Sequence, residues 1–187
     1  MSPVTHLLLS WSAASLAQLS RRERILVTLA GVAPDLDGLG LLVDLARRDS
    51  LHTAWSMYHH VLGHNITFCL VLLLPAYLLA RGKRLMTAVA VFAVFHLHLL
   101  ADLVGSRAPD QIWTIPYLLP FSSHEFSWTG QWPLNSWQNF SVTFTLILFG
   151  MYQGWRNGRS PVEVVSSRGN EELVHVLRAR FGIPRIP

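Results

Sequence analysis

The sequence predicts an all-α fold: a helical bundle embedded in a membrane, with a tryptophan- and proline-rich irregular segment beside it. Three observations predict it. Charged residues make up 14% of the 187, against roughly 25% in an average soluble domain. Several long stretches carry no formal charge. Of the 15 Lys and Arg residues, 13 gather in short clusters beside those stretches, at 21–24, 47–48, 81–84, 156–159 and 178–185, with Arg107 and Arg168 apart. A net charge of +4 spread in this way fits membrane borders, and without aromatic–basic interleaving no nucleic-acid partner is expected. The length suits one domain with a full core.

The elements follow in order. "HLLLSWSAASLAQL" reads as an apolar helix ending at the basic "RRER", and no basic residue precedes its apolar part, so cleavage as a signal peptide is not expected. "ILVTLAGVAPDLDGLGLLVDLA" is two apolar halves broken by Pro34 and an acid pair; whether the segment crosses or enters and returns is left open. Ile66 to Ala80 is uncharged, but its fifteen residues fall short of a hydrocarbon core about 30 Å thick unless the span extends back to Val61. Leu85 to Val104 has spanning length. Phe126 to Trp155 has no charge and is helical in character from Phe140.

If these three cross, the loop "RGKR" and the pair Arg156 and Arg159 share one side, the cytoplasm by the positive-inside rule, and residues 105–139 lie outside. There Trp113, Trp128, Trp132 and Trp137 read as an interfacial belt, with a substrate-covering cap as the alternative. Residues 1–157 form the membrane domain. The polar tail 158–187 carries Leu173, Leu177 and Phe181 at helical spacing after Asn170, its expected N-cap. Cys69, the single cysteine, lies in an apolar run as a packing residue and forms no internal disulfide.

Ionisable residues collect at one end of this arrangement. His59, His60 and His64 stand at the outer start of one helix, and His98 and Asp102 near the outer end of the next, so antiparallel neighbours bring them together. His98 and Asp102, four apart, share a helix face and can grip one ion. His60 and His64 have the same spacing, whereas His59 and His64 need a loosened turn, which Gly63 can provide. Asp35 and Asp37 flank Leu36 in a bend that presents carboxylates, with a turn or N-cap role as their alternative, and His6 closes the set. A carboxylate near hydrocarbon is costly unless a cation neutralises it, so an acid and histidine cluster there marks a functional metal site. His52, His124 and His175 read as structural histidines. His96, two residues from His98, points elsewhere, and Asp44 and Asp49 are expected to be solvated beside Arg47 and Arg48.

"THLLLSW", "GVAPDLDGLG", "YHHVLGHN", "HLHLLADLVGS" and "IWTIPYLLPFS" together resemble the ordered signature of the bacterial membrane-bound metal-dependent hydrolase family, from His6 to about Asn139. That family is itself distantly similar to zinc-dependent phospholipase C. The family's second motif maps onto His59 and His64, with His60 where the family has an arginine; the third maps onto His98 and Asp102, leaving His96 as an extra. The pair His124 and Glu125 is a weak counterpart of a further ligand pair, and no third metal is expected. The resemblance implies a hydrolase of phosphoester or related ester substrates, small-molecule or lipid, in the bacterial inner membrane with its site on the outer face. One divalent ion would be held by His59 or His60, His64, His98 and Asp102, and a second by His6 and Asp35 or Asp37, with Asp102 bridging. Mixed nitrogen and oxygen ligands suit zinc, with manganese or iron as alternatives. The spare one of Asp35 and Asp37 would be the catalytic general base.

Two other classes use the same residues. A metal-binding or metal-transport membrane protein would need a polar path through the cytoplasmic half, and 66–80 with the first half of 85–104 offers no ionisable residue to line one. A soluble helical hydrolase with unusually apolar core helices would keep the metal site and lose the membrane.

Overall fold

A computed structural model of the chain describes residues 1–48, 53–109 and 112–184; among these the protein is 69% helix and contains no strand. The expectations for Asp49, His52 and Arg185 fall outside the described residues. Helix α1 (Pro3–Leu16) opens on Ser2, whose hydroxyl accepts the Thr5 N–H. Pro3 occupies a first-turn position, where its missing N–H has no helical partner to lose. Helix α2 (Arg21–Val32) opens on a capping box in which the Ser20 hydroxyl accepts the Glu23 N–H and the Glu23 carboxylate accepts the Ser20 N–H. Pro34 then ends it, and Ala33–Leu39 winds as a 3-10 turn before α3 (Gly40–Arg47) and the short α4 (Thr53–Tyr58). The segment is broken where Pro34 predicts, yet from Arg21 to Arg47 it is long and apolar enough to cross a bilayer.

Helix α5 (Ile66–Leu79) is shorter than the span expected from Val61. Asn65 caps it by accepting the Phe68 N–H, so residues 59–65 are turns, and its fourteen residues make it a short apolar helix. Helix α6 (Arg84–Gly105) is the second segment with full spanning length and composition. Helix α7 (Trp137–Asn157) starts three residues before Phe140, at the Ser136 cap. It is not apolar enough to count as a span by the same measure, because Gln138, Asn139, Thr143, Gln153 and Arg156 interrupt it. Helix α8 (Ser167–Phe181) is capped by Ser166 and not by Asn170. Asn170 instead accepts the Ser160 N–H and hydroxyl, which fastens the tail to the end of α7.

Helix α6 is the axis of the bundle, packed against α1, α2 and α5, while α7 lies on α1. Ala14, Leu19, Val27, Ala30, Ala76, Val91 and Val94 form one buried cluster between α1, α2, α5 and α6, and Cys69, Phe95, Leu99 and Ile115 form a second. The perimeter is apolar as well: Leu70, Leu74 and Leu78 on α5, Leu85 and Val89 on α6, and Phe140 and Phe144 on α7 are all exposed. A helix that is hydrophobic all round, as α5 is, suits lipid outside and protein inside.

The basic end is tied by two carboxylates. Glu23 Oε1 accepts the N–H groups of Gly82 and Lys83, joining α2 to the turn before α6. Glu163, buried in the 3-10 turn Pro161–Val164, takes both arms of Arg24 at 2.7 and 2.6 Å and the Trp11 indole N–H at 3.0 Å. Asp44, expected to be solvated, is buried and accepts the Ala54 N–H, because that bond closes α3 onto α4.

Breaking the Arg24–Glu163 pair from one side leaves an uncompensated buried charge. Glu163→Ala is expected to destabilise the protein by about 3–5 kcal/mol, while the double change Arg24→Met with Glu163→Leu recovers most of that loss. Thermal unfolding of the purified variants in detergent measures both; a double variant no better than the single would show that the pair's charge is not what holds the tail.

Candidate metal centre

The sequence separates the acids and histidines by almost a hundred positions, and four elements return them to one end of the bundle. His6 comes from the first turn of α1, Asp35 and Asp37 from the 3-10 turn after α2, His59, His60 and His64 from the turn before α5, and His98 and Asp102 from the last turns of α6. Two glycines make the close approaches. A Cβ on Gly63 would lie 2.3 Å from the Pro34 carbonyl oxygen, and one on Gly31 would lie 2.0 Å from Ser10 Oγ, so a side chain at Gly63 would push the two turns apart and one at Gly31 would push α2 from α1. His60 adopts a left-handed backbone, φ 63°, an uncommon conformation for a residue with a Cβ. That conformation, with the Asn65 cap, means that His60 and His64 do not share a helix; their rings are stacked by the turn, centroids 4.4 Å apart.

The centre is Asp102, almost fully buried. Its Oδ1 accepts from the Ser106 hydroxyl at 2.7 Å, lies 3.0 Å from His6 Nε2, and is in contact with the Met1 amine. Its Oδ2 has no hydrogen-bond partner but sits 3.1 Å from His98 Nε2 and 3.4 Å from His64 Nε2, and those two nitrogens are 3.2 Å apart. The outer nitrogens fix the tautomers. His98 Nδ1 faces the Gly31 carbonyl at 2.8 Å, and His64 Nδ1 faces Asp37 Oδ2 at 2.9 Å. Both partners are pure acceptors, so both Nδ1 atoms carry a proton and both Nε2 atoms turn toward Asp102 Oδ2. Burial lowers the pKa of the His64 imidazole, but the Asp102 and Asp37 carboxylates outweigh it and raise the value to about 9, so without a metal its Nε2 holds a proton toward Asp102 and His98.

Three such atoms directed at one point in a buried site need a positive charge among them, either a proton on His64 or a metal cation that displaces it. Tetrahedral zinc with bonds of about 2.0–2.1 Å places its ligand atoms about 3.3–3.4 Å apart, close to the three distances observed. The residues therefore fit a divalent metal. Two ligand sets meet here, His6, Asp35, His98 and Asp102 in one and His60, His64 and Asp102 in the other, with the ligand atoms of each within 4.8 Å of one another. His6 Nδ1, Asp35 Oδ2 and His60 Nδ1 are likewise buried without a partner. Burial, with the repulsion of His64 beside it, drives the His60 imidazole down to about 2, so it stays neutral.

The remaining expected residues stand one step back. Asp37 accepts from Gly63 N–H and holds His59 Nδ1 at 3.1 Å as well as His64. With both oxygens committed it belongs to neither ligand set, a consequence of the 3-10 turn aiming Asp35 inward and Asp37 toward the histidine turn. His59 also lies outside both sets, so of His59 and His60 it is His60 that joins the cluster. His96 points away, as its spacing predicts, to Phe92 O and the Tyr117 hydroxyl. His124, Glu125 and His175 are exposed. The tryptophans divide: Trp128 and Trp137 are exposed, Trp132 binds Asn139, and Trp113 covers His59 and His60, with ring centroids 5.4 and 4.3 Å away. Ser106 was legible as one more step of four along α6. The Gly31 carbonyl has no sequence signal.

Outer partners of metal-bound histidines typically contribute 10–100-fold to affinity. Asp37→Asn is therefore expected to weaken zinc binding by about that factor without abolishing it, as read by competition with a chromogenic chelator; an unchanged affinity would mean that Asp37 does not orient His64.

A family model described as the YdjM inner membrane protein matches residues 1–167. No curated protein matches the chain, and no solved structure does. With nearly its whole length matched, and two segments long and apolar enough to cross a bilayer, the chain belongs to the YdjM inner membrane protein family.

Proposed function

We propose that the protein is a membrane-bound metal-dependent hydrolase of phosphoester or related ester substrates, working at the outer face of the bacterial inner membrane. The observation that carries the proposal is the meeting of His64 Nε2, His98 Nε2 and Asp102 Oδ2 at 3.1–3.4 Å from one another in a buried site. Zinc suits this donor set, as one ion or as two sharing Asp102. When bound, such an ion lowers the pKa of its water to about 7 and polarises the oxygen of an ester.

The chain's own residues supply the rest. His6, His60, His64, His98 and Asp102 hold the ion or ions. Asp37 and the Gly31 carbonyl keep the His64 and His98 rings turned with Nε2 inward. Asp35 is the general base: its Oδ1 lies 3.8 Å from His98 Nε2, its Oδ2 has no partner, and the residue lines a cavity of about 1090 Å³ that opens beside the cluster. Trp113 keeps water from the His59 and His60 side. The outward orientation is supported by the positions of the charges, since the site occupies the C-terminal ends of α2 and α6 while Arg21, Arg22, Lys83 and Arg84 occupy their N-terminal ends.

Metal binding or transport without hydrolysis uses the same ligands but needs a way through. Between the site and the basic end lies the apolar cluster of Ala14, Val27, Ala30, Ala76, Val91 and Val94, which favours a one-sided site.

Protein purified without chelator is expected to carry one to two equivalents of transition metal, lost in His98→Ala and Asp102→Ala; elemental analysis showing none in native protein would end the proposal. Asp35→Asn is expected to keep its metal and lose hydrolysis of aryl phosphate and carboxylester probes by about 10²–10⁴-fold, the usual contribution of a general base. If metal is lost in step with activity, Asp35 is a ligand instead.

A further inference from the structure

Among the described residues, the cavity beside the cluster has one Lys or Arg side chain in its lining. Its walls include Asp35, His59 and His60 on the cluster side and Leu39, Trp113 and Phe140 around them, with Arg107 as the single Lys or Arg. Arg107 follows Ser106, the residue that hydrogen-bonds Asp102, so its backbone is one residue from the centre. That backbone is fixed: the Arg107 N–H donates to the Trp132 carbonyl and its own carbonyl accepts the Leu134 N–H, both at 3.2 Å. The guanidinium is exposed and forms no ion pair or hydrogen bond among the described residues. A fixed base with a free guanidinium suits the bidentate capture of an oxyanion.

Charge decides when that capture can occur. A divalent ion adds two positive charges to an end where Asp35, Asp37 and Asp102 face the Met1 amine and Arg107, so metal loading favours the capture of an anion there. We propose that Arg107 is the substrate-positioning residue of this site, and that it holds a phosphoryl group between its guanidinium and the metal-loaded cluster. This rests on the metal-site reading above. The shared chemistry is a phosphomonoester or phosphodiester group, carried either on a lipid or on a soluble molecule; the apolar wall of Leu39, Trp113 and Phe140 would lie along the rest of it.

Cobalt(II) absorption of the full chain in detergent tests this without relying on turnover. Titrating cobalt reports the metal site; adding inorganic phosphate, glycerol 3-phosphate or phosphatidic acid in mixed micelles reports anion binding as a change in the cobalt bands. Wild type is expected to bind cobalt and then phosphate, and Arg107→Gln to bind cobalt equally while binding phosphate about tenfold more weakly, the loss of one charge-assisted contact. Arg107→Lys is expected to fall between them. Tighter binding of phosphatidic acid than of glycerol 3-phosphate would support the site and name a lipid as the source; the reverse order would support it with a soluble ester. Cobalt bands that ignore phosphate, or phosphate binding unchanged in Arg107→Gln, would overturn the role of Arg107 and leave the metal centre standing. No cobalt bands at all would overturn both.

Discussion

The Asp102 carboxylate is the constraint on which the rest depends. It is an anion 2% exposed, at the end of a helix whose outer surface is built for lipid, and burying a carboxylate unpaired in such surroundings costs several kcal/mol. Ser106 and the Met1 amine answer one oxygen. The other faces only the Nε2 atoms of His64 and His98. Three atoms able to ligate a metal, gathered around one buried point, suit a site organised to receive a cation.

That requirement passes outward through the fold. To keep the His64 and His98 Nε2 atoms inward, each ring needs an acceptor behind it, and these come from different elements, the 3-10 turn through Asp37 and α2 through Gly31. The 3-10 turn has to lie against the histidine turn, which is why Gly63 admits the Pro34 backbone, and α2 has to lie close to α1 and α6, which is why Gly31 faces Ser10 and Val94. At the far end Glu23 and Glu163 hold the same helices by neutralising backbone N–H groups and a guanidinium. The bundle is thus clamped at both ends by carboxylates, one end satisfied within the protein and the other left open to a ligand.

The fold class and most of the site were legible because both follow from local patterns. Four-residue spacing put His98 and Asp102 on one face, and the same step extends to Ser106; Pro34 marked the break; the charge-free runs marked the helices. Where spacing misled, a competing local interaction won. The Asn65 side chain caps α5 and so cancels the helix expected through His60 and His64, and Ser166 takes the cap expected of Asn170 because Asn170 is drawn to Ser160. Spacing also could not tell Asp35 from Asp37. Two residues apart in a tight turn, they face different neighbours, and only the contact with the histidine turn decides that Asp37 orients while Asp35 remains available. Partners such as the Gly31 carbonyl are backbone atoms, on which the sequence is silent.

The division between Asp35 and Asp37 also bears on what the centre can do. A site built only to retain a metal gains from saturating every donor, since each open position is a route to exchange. Here saturation is incomplete on one side only. The faces toward α2 and the 3-10 turn are closed by Gly31 and Asp37, whereas the face toward the cavity presents an unpartnered Asp35 oxygen and the edge of His60 beneath Trp113. Below, the apolar cluster across α1, α2, α5 and α6 offers a departing ion no ligand. A centre closed behind and beneath, and open toward a cavity with an unpartnered carboxylate oxygen at its edge, has an asymmetry that suits the proposed hydrolytic reading better than storage or passage of an ion.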